Sequence, residues 1–353
     1  MGHMIQIDGS YGEGGGQILR TALGLSSLTG RPFRIFNLRK GRKVPGLMAQ
    51  HLTAVKAAMT VSRAEVSGAT MGSTELFFSP RGVKAGTYSF DIGTAGSVCL
   101  VIQTLLPALL FAGGRSTVRL TGGTHVPWSP SFDHLHDVFL PVLGRIGIRV
   151  RTTIESYGFY PRGGGIVQVE VEPVKEISPL VAINRGELYS LRGRSAVGHL
   201  PVSIADRQKR AFSDTLTEMM SGESVPISIS VDSVPSRGEG TFLFVRPESA
   251  HGAAGFCALG ARGKRAEEVG GEAARLLMEY YSTGAAIDHH LADQVVQYLV
   301  LAQGESTFTT SSITDHLRTN LWVMSFFLPF ESELVGDPGR LGKIIIRTPD
   351  QRH

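Results

Sequence analysis

A pattern that recurs along the chain limits its fold more than any composition figure. Residues 8–35 read as an aspartate, a glycine loop, a helix-period apolar run closing in Leu28-Thr29-Gly30-Arg31, and a short strand Phe33–Phe36. Residues 91–120 read the same way: Asp91-Ile92-Gly93-Thr94-Ala95-Gly96-Ser97, a helix over 98–112, Gly113-Gly114-Arg115, and a strand over 116–120. The offset is about 83 residues. It continues further, because His51-Leu52 opens a helix that leads to a strand near Val66, and His134-Leu135 opens one that leads to 148–150. A third copy follows late in the chain. There Asp293-Gln294 begins a helix ending at Gly304, a strand covers 306–310, and His316-Leu317 opens a helix leading to 330–334.

Each copy reads as β-α-β-α-β-β, with further strands at Leu76–Ser79, 88–91 and 167–171. The fold class expected is α/β (α+β): three pseudo-symmetric repeats forming the main body, with a small inserted α/β lobe. The spacing from the second copy to the third is longer by about 100 residues, and the excess is the insert. The expected division is a body of 5–183 plus 286–350, with repeats at 5–90, 91–183 and 286–350, and an insert over 184–285. Within the insert the pattern gives strands over 188–192, 225–231, 241–245 and Phe256–Leu259, and helices over 204–220 and Ala266–Tyr281. Residues 1–3 before Met4 read as an expression scar.

At 353 residues the chain is long enough for two domains. A net charge of +4 suits an anionic ligand without the basicity of a protein that coats nucleic acid. The two cysteines, Cys99 and Cys257, stand far apart and form no metal or disulfide pattern, so a reducing cytoplasm is expected. The longest apolar run, 98–112, is broken by Gln103 and Pro107 and is too short to span a membrane.

The first glycine loop, D-G-S-Y-G-E-G-G-G-Q-I-L-R over 8–20, lies between a strand and a helix. That placement aims backbone N–H groups at an anion. It lacks the Gly-Lys-Ser/Thr of a Walker A loop, and Gln17 occupies the position where a dinucleotide fingerprint has its last glycine. Glu13 inside the loop would repel a phosphate unless a cation lay between them, and Arg20 lies about one turn into the helix, where it can hold an oxyanion. The alternative reading is a tight turn with a surface glutamate. Residues 39–46, R-K-G-R-K-V-P-G, put guanidinium groups on a loop tip, which suits a phosphate but also suits plain solvation. Gln103, in the most apolar helix, needs a hydrogen-bond partner. His316 stands at a helix entry, where the helix N-terminus favours the neutral, nucleophilic ring. His51 and His134 at matching positions allow a purely structural reading. His134-x-His136 and His289-His290 have zinc-compatible spacing without a third ligand.

These segments occur in one order: the glycine loop; R-K-G-R-K-V-P-G-L-x-x-Q-H-L-T-A-V-K; G-T-A-G-S-V-C-L-V-I-Q-T; G-F-Y-P-R-G-G-G; H-L-A-D-Q; and D-H-L-R-T-N. Together they closely resemble the RNA 3′-terminal phosphate cyclase family, over about 5–347. The resemblance implies ATP and a divalent cation (Mg or Mn) as cofactors and RNA 3′-phosphate ends as the partner. It implies a covalent histidine–AMP intermediate on His316, then an RNA-adenylate, then a 2′,3′-cyclic phosphate. It makes Glu13 the metal ligand. It assigns Gln103, Pro130, His290, Leu291, Ala292, Asp293 and Gln294 to ATP, and Arg20, Arg39, Arg42 and Gln50 to the RNA phosphate. His290 stands where the family commonly has tyrosine, so less ring area is offered to adenine. No membrane partner is expected, and a homodimer is compatible. Two other readings were weighed. One is a non-catalytic cyclase-like RNA-binding protein of ribosome assembly, which would lack the histidine and pocket. The other is an enolpyruvyl transferase, which spreads its Lys/Arg sets over more repeated units.

Overall fold

The computed structural model describes residues 4–220 and 225–349. Residues 1–3, read above as a scar, and residue 350, taken as the end of the third repeat, lie outside them. So do residues 221–224 of the expected insert.

The first unit runs β1 (Ile5–Asp8), α1 (Gly16–Thr29), β2 (Phe33–Phe36), α2 (Ala49–Ser62), β3 (Glu65–Ser67) and β4 (Leu76–Ser79). Its sheet has the order β1-β2-β4-β3, parallel between the first two strands and antiparallel elsewhere. The second unit is β5 (Thr87–Asp91), α3 (Val98–Leu110), β6 (Ser116–Gly122), α4 (Phe132–His134), a π-helical turn over Leu135–Phe139, α5 (Leu140–Arg145), β7 (Val150–Ser156) and β8 (Gly165–Val171). Its order, β5-β6-β8-β7, repeats the first in pairing and in direction.

A third sheet is built from β9 (Val181–Ala182), then, after a long excursion, α8 (His289–Leu299), β14 (Glu305–Thr310), α9 (Asp315–Ser325), β15 (Glu331–Val335) and β16 (Gly342–Arg347). Read from β9, its order β9-β14-β16-β15 is the same again. The α/β architecture of three like units is therefore present. Its third unit begins at β9 and not at residue 286, because a two-residue strand carries no period that a sequence can display.

The excursion contains β10 (Leu188–Gly198), α6 (Ser203–Met219), β11 (Ile227–Ser233), β12 (Gly240–Ser249), β13 (Phe256–Leu259) and α7 (Ala266–Tyr281). These strands form a sheet of order β11-β10-β12-β13, with α6 packed on α7. They enclose their own apolar cluster, which includes Leu191, Phe212, Leu216, Val269 and Leu277.

Alternation explains the strands: β8 buries every second residue, as a sheet packed on one face requires. The larger core gathers Ile7, Leu19, Leu23, Phe33, Phe78 and Phe308, all essentially without exposure. Helix α1 lies against α2, α3 and α9, and so holds the first glycine loop near the third unit. Gly24 permits the close approach of α3 to α1, since a Cβ there would meet the Thr104 carbonyl oxygen at 2.9 Å. Helix α3 continues through Pro107, which interrupts the apolar run without ending the helix.

Candidate active site

Helix α9 begins beside α1. Thr314 caps it, its hydroxyl accepting the Leu317 N–H at 2.9 Å while donating to Asp293 Oδ1 at 2.6 Å. Asn320, one turn further on, donates to the Asp293 carbonyl at 2.7 Å and accepts the Thr21 hydroxyl at 2.8 Å. These buried bonds tie α1, α8 and α9 into one frame, and each satisfies a polar group that would be costly to leave unpaired.

His316 stands in the first turn of α9. Its Nδ1 lies against two acceptors, Gln17 Oε1 and Glu13 Oε2. Two acceptors at one ring nitrogen place a proton on Nδ1, so in the neutral ring it is Nε2 that carries the lone pair. The other carboxylate oxygen of Glu13 accepts from Arg42 Nη2. The helix N-terminus favours the neutral ring, as the sequence suggests, but Glu13 acts in the opposite direction. The Glu13 hydrogen bond comes first, and with the Glu13 charge it overcomes burial and raises the His316 pKa. Burial opposes ionisation of Glu13, but the bond and charge of His316, with Arg42, outweigh it and hold that carboxyl below its usual range.

Arg20 and His51 crowd against Gly16. A Cβ at Gly16 would stand 2.9 Å from Arg20 Nη1 and collide with the His51 ring, so the loop needs glycine there. Burial pulls the Arg20 pKa down to about 10. His51 accepts the Met48 N–H at Nδ1, 3.1 Å, and burial with the charges of Arg20 and Arg39 pushes it down to about 3. It is therefore a neutral donor at Nε2. Arg39 has a positive φ of 54° and bonds to the Gly46 carbonyl at 2.7 Å. Burial lowers its pKa, and Arg42 adds to that. Gln50 accepts the Ser97 N–H at 3.2 Å, which joins the start of α2 to the second glycine loop. Arg20 and Arg42 thus gather on the first glycine loop around Glu13. Arg39 is near enough for its charge to act on Arg42 and His51, while Gln50 turns to the second glycine loop.

The residues expected to face a nucleotide lie largely on α8 and its neighbours. Gln103 finds its partner in Gln294, donating to Oε1 at 2.8 Å. His134 packs on the same side: its Nδ1 lies 3.3 Å from the Gly255 carbonyl, and burial pushes the ring down to about 4. Burial, together with His289, His134 and His316, pushes His290 down to about 3. Leu291 and Ala292 are buried on the core side of α8, and burial drives Asp293 up to about 7. Their side chains support the helix. Pro130 precedes Ser131, the N-cap of the short α4 that carries His134.

Helix α8 starts at His289, four residues before the aspartate from which the sequence pattern starts it. Asp288 is the cap, accepting the Leu291 N–H at 3.0 Å with Oδ1, while its buried Oδ2 has no partner. Burial drives the Asp288 carboxyl up to about 7. A raised folded pKa means the folded state binds the proton more tightly, so this group lowers stability as pH rises from about 4 to 7. Asp288→Asn keeps a capping oxygen without the charge. Its Tm is expected to fall less than that of the parent between pH 5 and pH 8, as measured by thermal unfolding.

Among the described residues there is no group of three or more His, Cys, Asp or Glu side chains able to hold a metal ion. Gln17 was absent from the expected site. Its signal was its place in the glycine loop, where it breaks the dinucleotide fingerprint. No helix of the described residues is long and apolar enough to cross a membrane.

A family model for RNA 3′-terminal phosphate cyclase matches residues 11–334. A curated protein of that name from Methanopyrus kandleri is 43% identical over 351 residues, covering 98% of this chain and 99% of its own. One from Ignicoccus hospitalis is 45% identical over 95% of this chain and 96% of its own. One from Methylococcus capsulatus is 45% identical over 92% and 91%. The chain belongs to the RNA 3′-terminal phosphate cyclase family of enzymes.

Proposed function

We propose that the protein uses ATP to convert an RNA 3′-terminal phosphate into a 2′,3′-cyclic phosphodiester through a His316–AMP intermediate. The observation that carries this is the placement of His316, whose Nδ1 is held by Glu13 and Gln17, so that Nε2 is the nucleophilic nitrogen of the neutral ring. Nε2 attacks the α-phosphorus of ATP, an N–P bond forms, and the bond to pyrophosphate breaks. An oxygen of the RNA 3′-phosphate then takes the AMP from His316 and returns the ring to its starting state. The 2′-OH attacks the 3′-phosphorus, loses its proton to solvent, and expels AMP as the ring closes.

Adenylylation of Nε2 in a ring that keeps its Nδ1 proton leaves positive charge on the imidazole, and the Glu13 carboxylate offsets it. Arg20, Arg39, Arg42 and Gln50 hold the terminal phosphate, in keeping with the gathering of Arg20 and Arg42 on the loop and the bidentate geometry of guanidinium. Gln103 and Gln294 position the nucleotide, and Pro130 and His290 flank its base. Glu13 would be the one protein carboxylate for a divalent cation, and since its oxygens are engaged by Arg42 and His316 it would have to give up the Arg42 bond to hold the ion. When bound, the ion spreads phosphoryl charge. We assign the protein to a reducing compartment, the cytoplasm, from its free cysteines Cys99 and Cys257. The lobe over 184–285 is assigned as an insert in the third unit.

The test is ATP-dependent conversion of a 3′-phosphorylated oligoribonucleotide to a product that resists phosphatase. A product that forms with ATP, and fails to form without ATP or from a 3′-OH end, is expected. Persistence of the phosphatase-sensitive end under all metals would overturn the reading.

A further inference from the structure

One motif has no role in the mechanism above: G-F-Y-P-R-G-G-G, residues 158–165. Its loop is built against the second glycine loop. A Cβ on Gly163 would lie 2.7 Å from the Thr94 carbonyl oxygen and 2.9 Å from the Ala95 Cα. That glycine loop is the one whose Ser97 N–H bonds to Gln50. That loop, with Gly93 and Thr94 exposed on it, therefore links Gln50 to the turn that carries Tyr160 and Arg162.

Tyr160 is 70% exposed, although a ring of that size is ordinarily drawn into apolar contact. Arg162 is exposed, and its recorded polar partner is a backbone carbonyl, that of Arg237, at 3.4 Å. The stem of Arg237 lies over Gly164, with its Cδ 2.5 Å from where a Cβ would stand, while the residue as a whole stays exposed. Neither arginine enters an ion pair among the described residues, in contrast to the neighbouring Arg192, Arg194 and Arg246. The abutting loop is tied in by the Thr124 N–H to the Gly158 carbonyl at 2.9 Å, and it presents Trp128, which is 99% exposed.

An exposed ring beside uncompensated guanidinium groups, on rigid glycine-rich backbone, is the chemistry that holds a single nucleic-acid strand. We propose that this surface seats the single-stranded RNA upstream of the 3′ end, with a base on Tyr160 and backbone phosphates on Arg162 and Arg237. The proposal rests on the RNA-end reading above. It adds that recognition extends beyond the terminal nucleotide.

The test compares affinities for 3′-phosphorylated oligoribonucleotides of about two and about ten nucleotides, since strand-binding sites span several nucleotides. The proteins are the parent, Tyr160→Ala and the double variant Arg162→Ala/Arg237→Ala. The parent is expected to prefer the longer RNA. Tyr160→Ala should lose about tenfold in affinity for the longer RNA and little for the shorter. The arginine pair should flatten the dependence of log K on log salt by about 0.7 for each phosphate contact removed. Labelling of the protein by ATP alone should be unchanged in all variants, which also shows that they are folded. If the parent binds and cyclises both lengths equally well, or the variants bind the longer RNA as the parent does, this surface is not the seat, and the cyclase reading stands. If the parent neither binds nor cyclises either RNA, the cyclase reading falls and the proposal falls with it.

Discussion

His316→Ala is expected to lower RNA cyclisation by about 10⁴-fold or more, to the limit of detection. The reason lies in the ring geometry. Nε2 is the nitrogen left free when Nδ1 is engaged by Glu13 and Gln17, and no neighbouring group offers a replacement nucleophile in its place. Burial pushes His51 down to about 3 and His134 to about 4, so both rings are neutral. However, His51 is tied to a helix start and His134 faces the Gly255 carbonyl. Because the His316 side chain is 45% exposed, its loss should leave the fold intact. Unchanged circular dichroism, with turnover measured on 3′-phosphorylated RNA, separates loss of chemistry from loss of structure. The same variant given a pre-formed RNA-adenylate should still close the ring, since that step uses the 2′-OH and not the histidine.

Glu13→Ala carries the second large effect, an expected loss of about 100-fold to 1,000-fold in labelling of the protein by ATP. The substitution removes the charge that offsets the developing imidazolium and leaves Gln17 as the remaining acceptor at Nδ1. It also frees Arg42 from its ion pair. Gln17→Ala should cost less, about tenfold, because a neutral acceptor is weaker than a carboxylate. Arg42→Ala should leave self-labelling largely in place and impair the step that uses RNA. Single-turnover measurements of label formation and of label transfer to RNA separate these outcomes. Equal losses in both steps for Glu13→Ala and Arg42→Ala would contradict the distinct roles given to the two side chains.

Much of this was legible before any coordinates. Three like units follow from apolar periodicity and recurring glycine punctuation, and the order first-second-fourth-third recurs in all three sheets. Helix α7 and strands β2, β4 and β13 agree with their sequence reading residue for residue, because each is bounded by clear changes of period. The need of Gln103 for a partner was readable from its apolar surroundings, although the partner, Gln294, was not.

Other parts were hidden for physical reasons. Strand β9 is too short to show alternation, and β16 follows a stretch rich in glycine and charge where no period stands out. The contact between Gln17 and His316 spans 299 residues, so only packing of α1 on α9 reveals it. The protonation of His316 depends on the same packing. A helix N-terminus argues for a lowered pKa, whereas the glycine loop delivers a carboxylate that raises it. Local rules gave the direction of the smaller effect.

The most direct measurement is the mass of the intact protein after incubation with ATP and a divalent cation, followed by mapping of the modified peptide. The expected result is a gain equal to one adenylyl group, lost in acid and kept in base, on the peptide that contains His316. An unchanged mass, or an adenylyl group on any other residue, would contradict it.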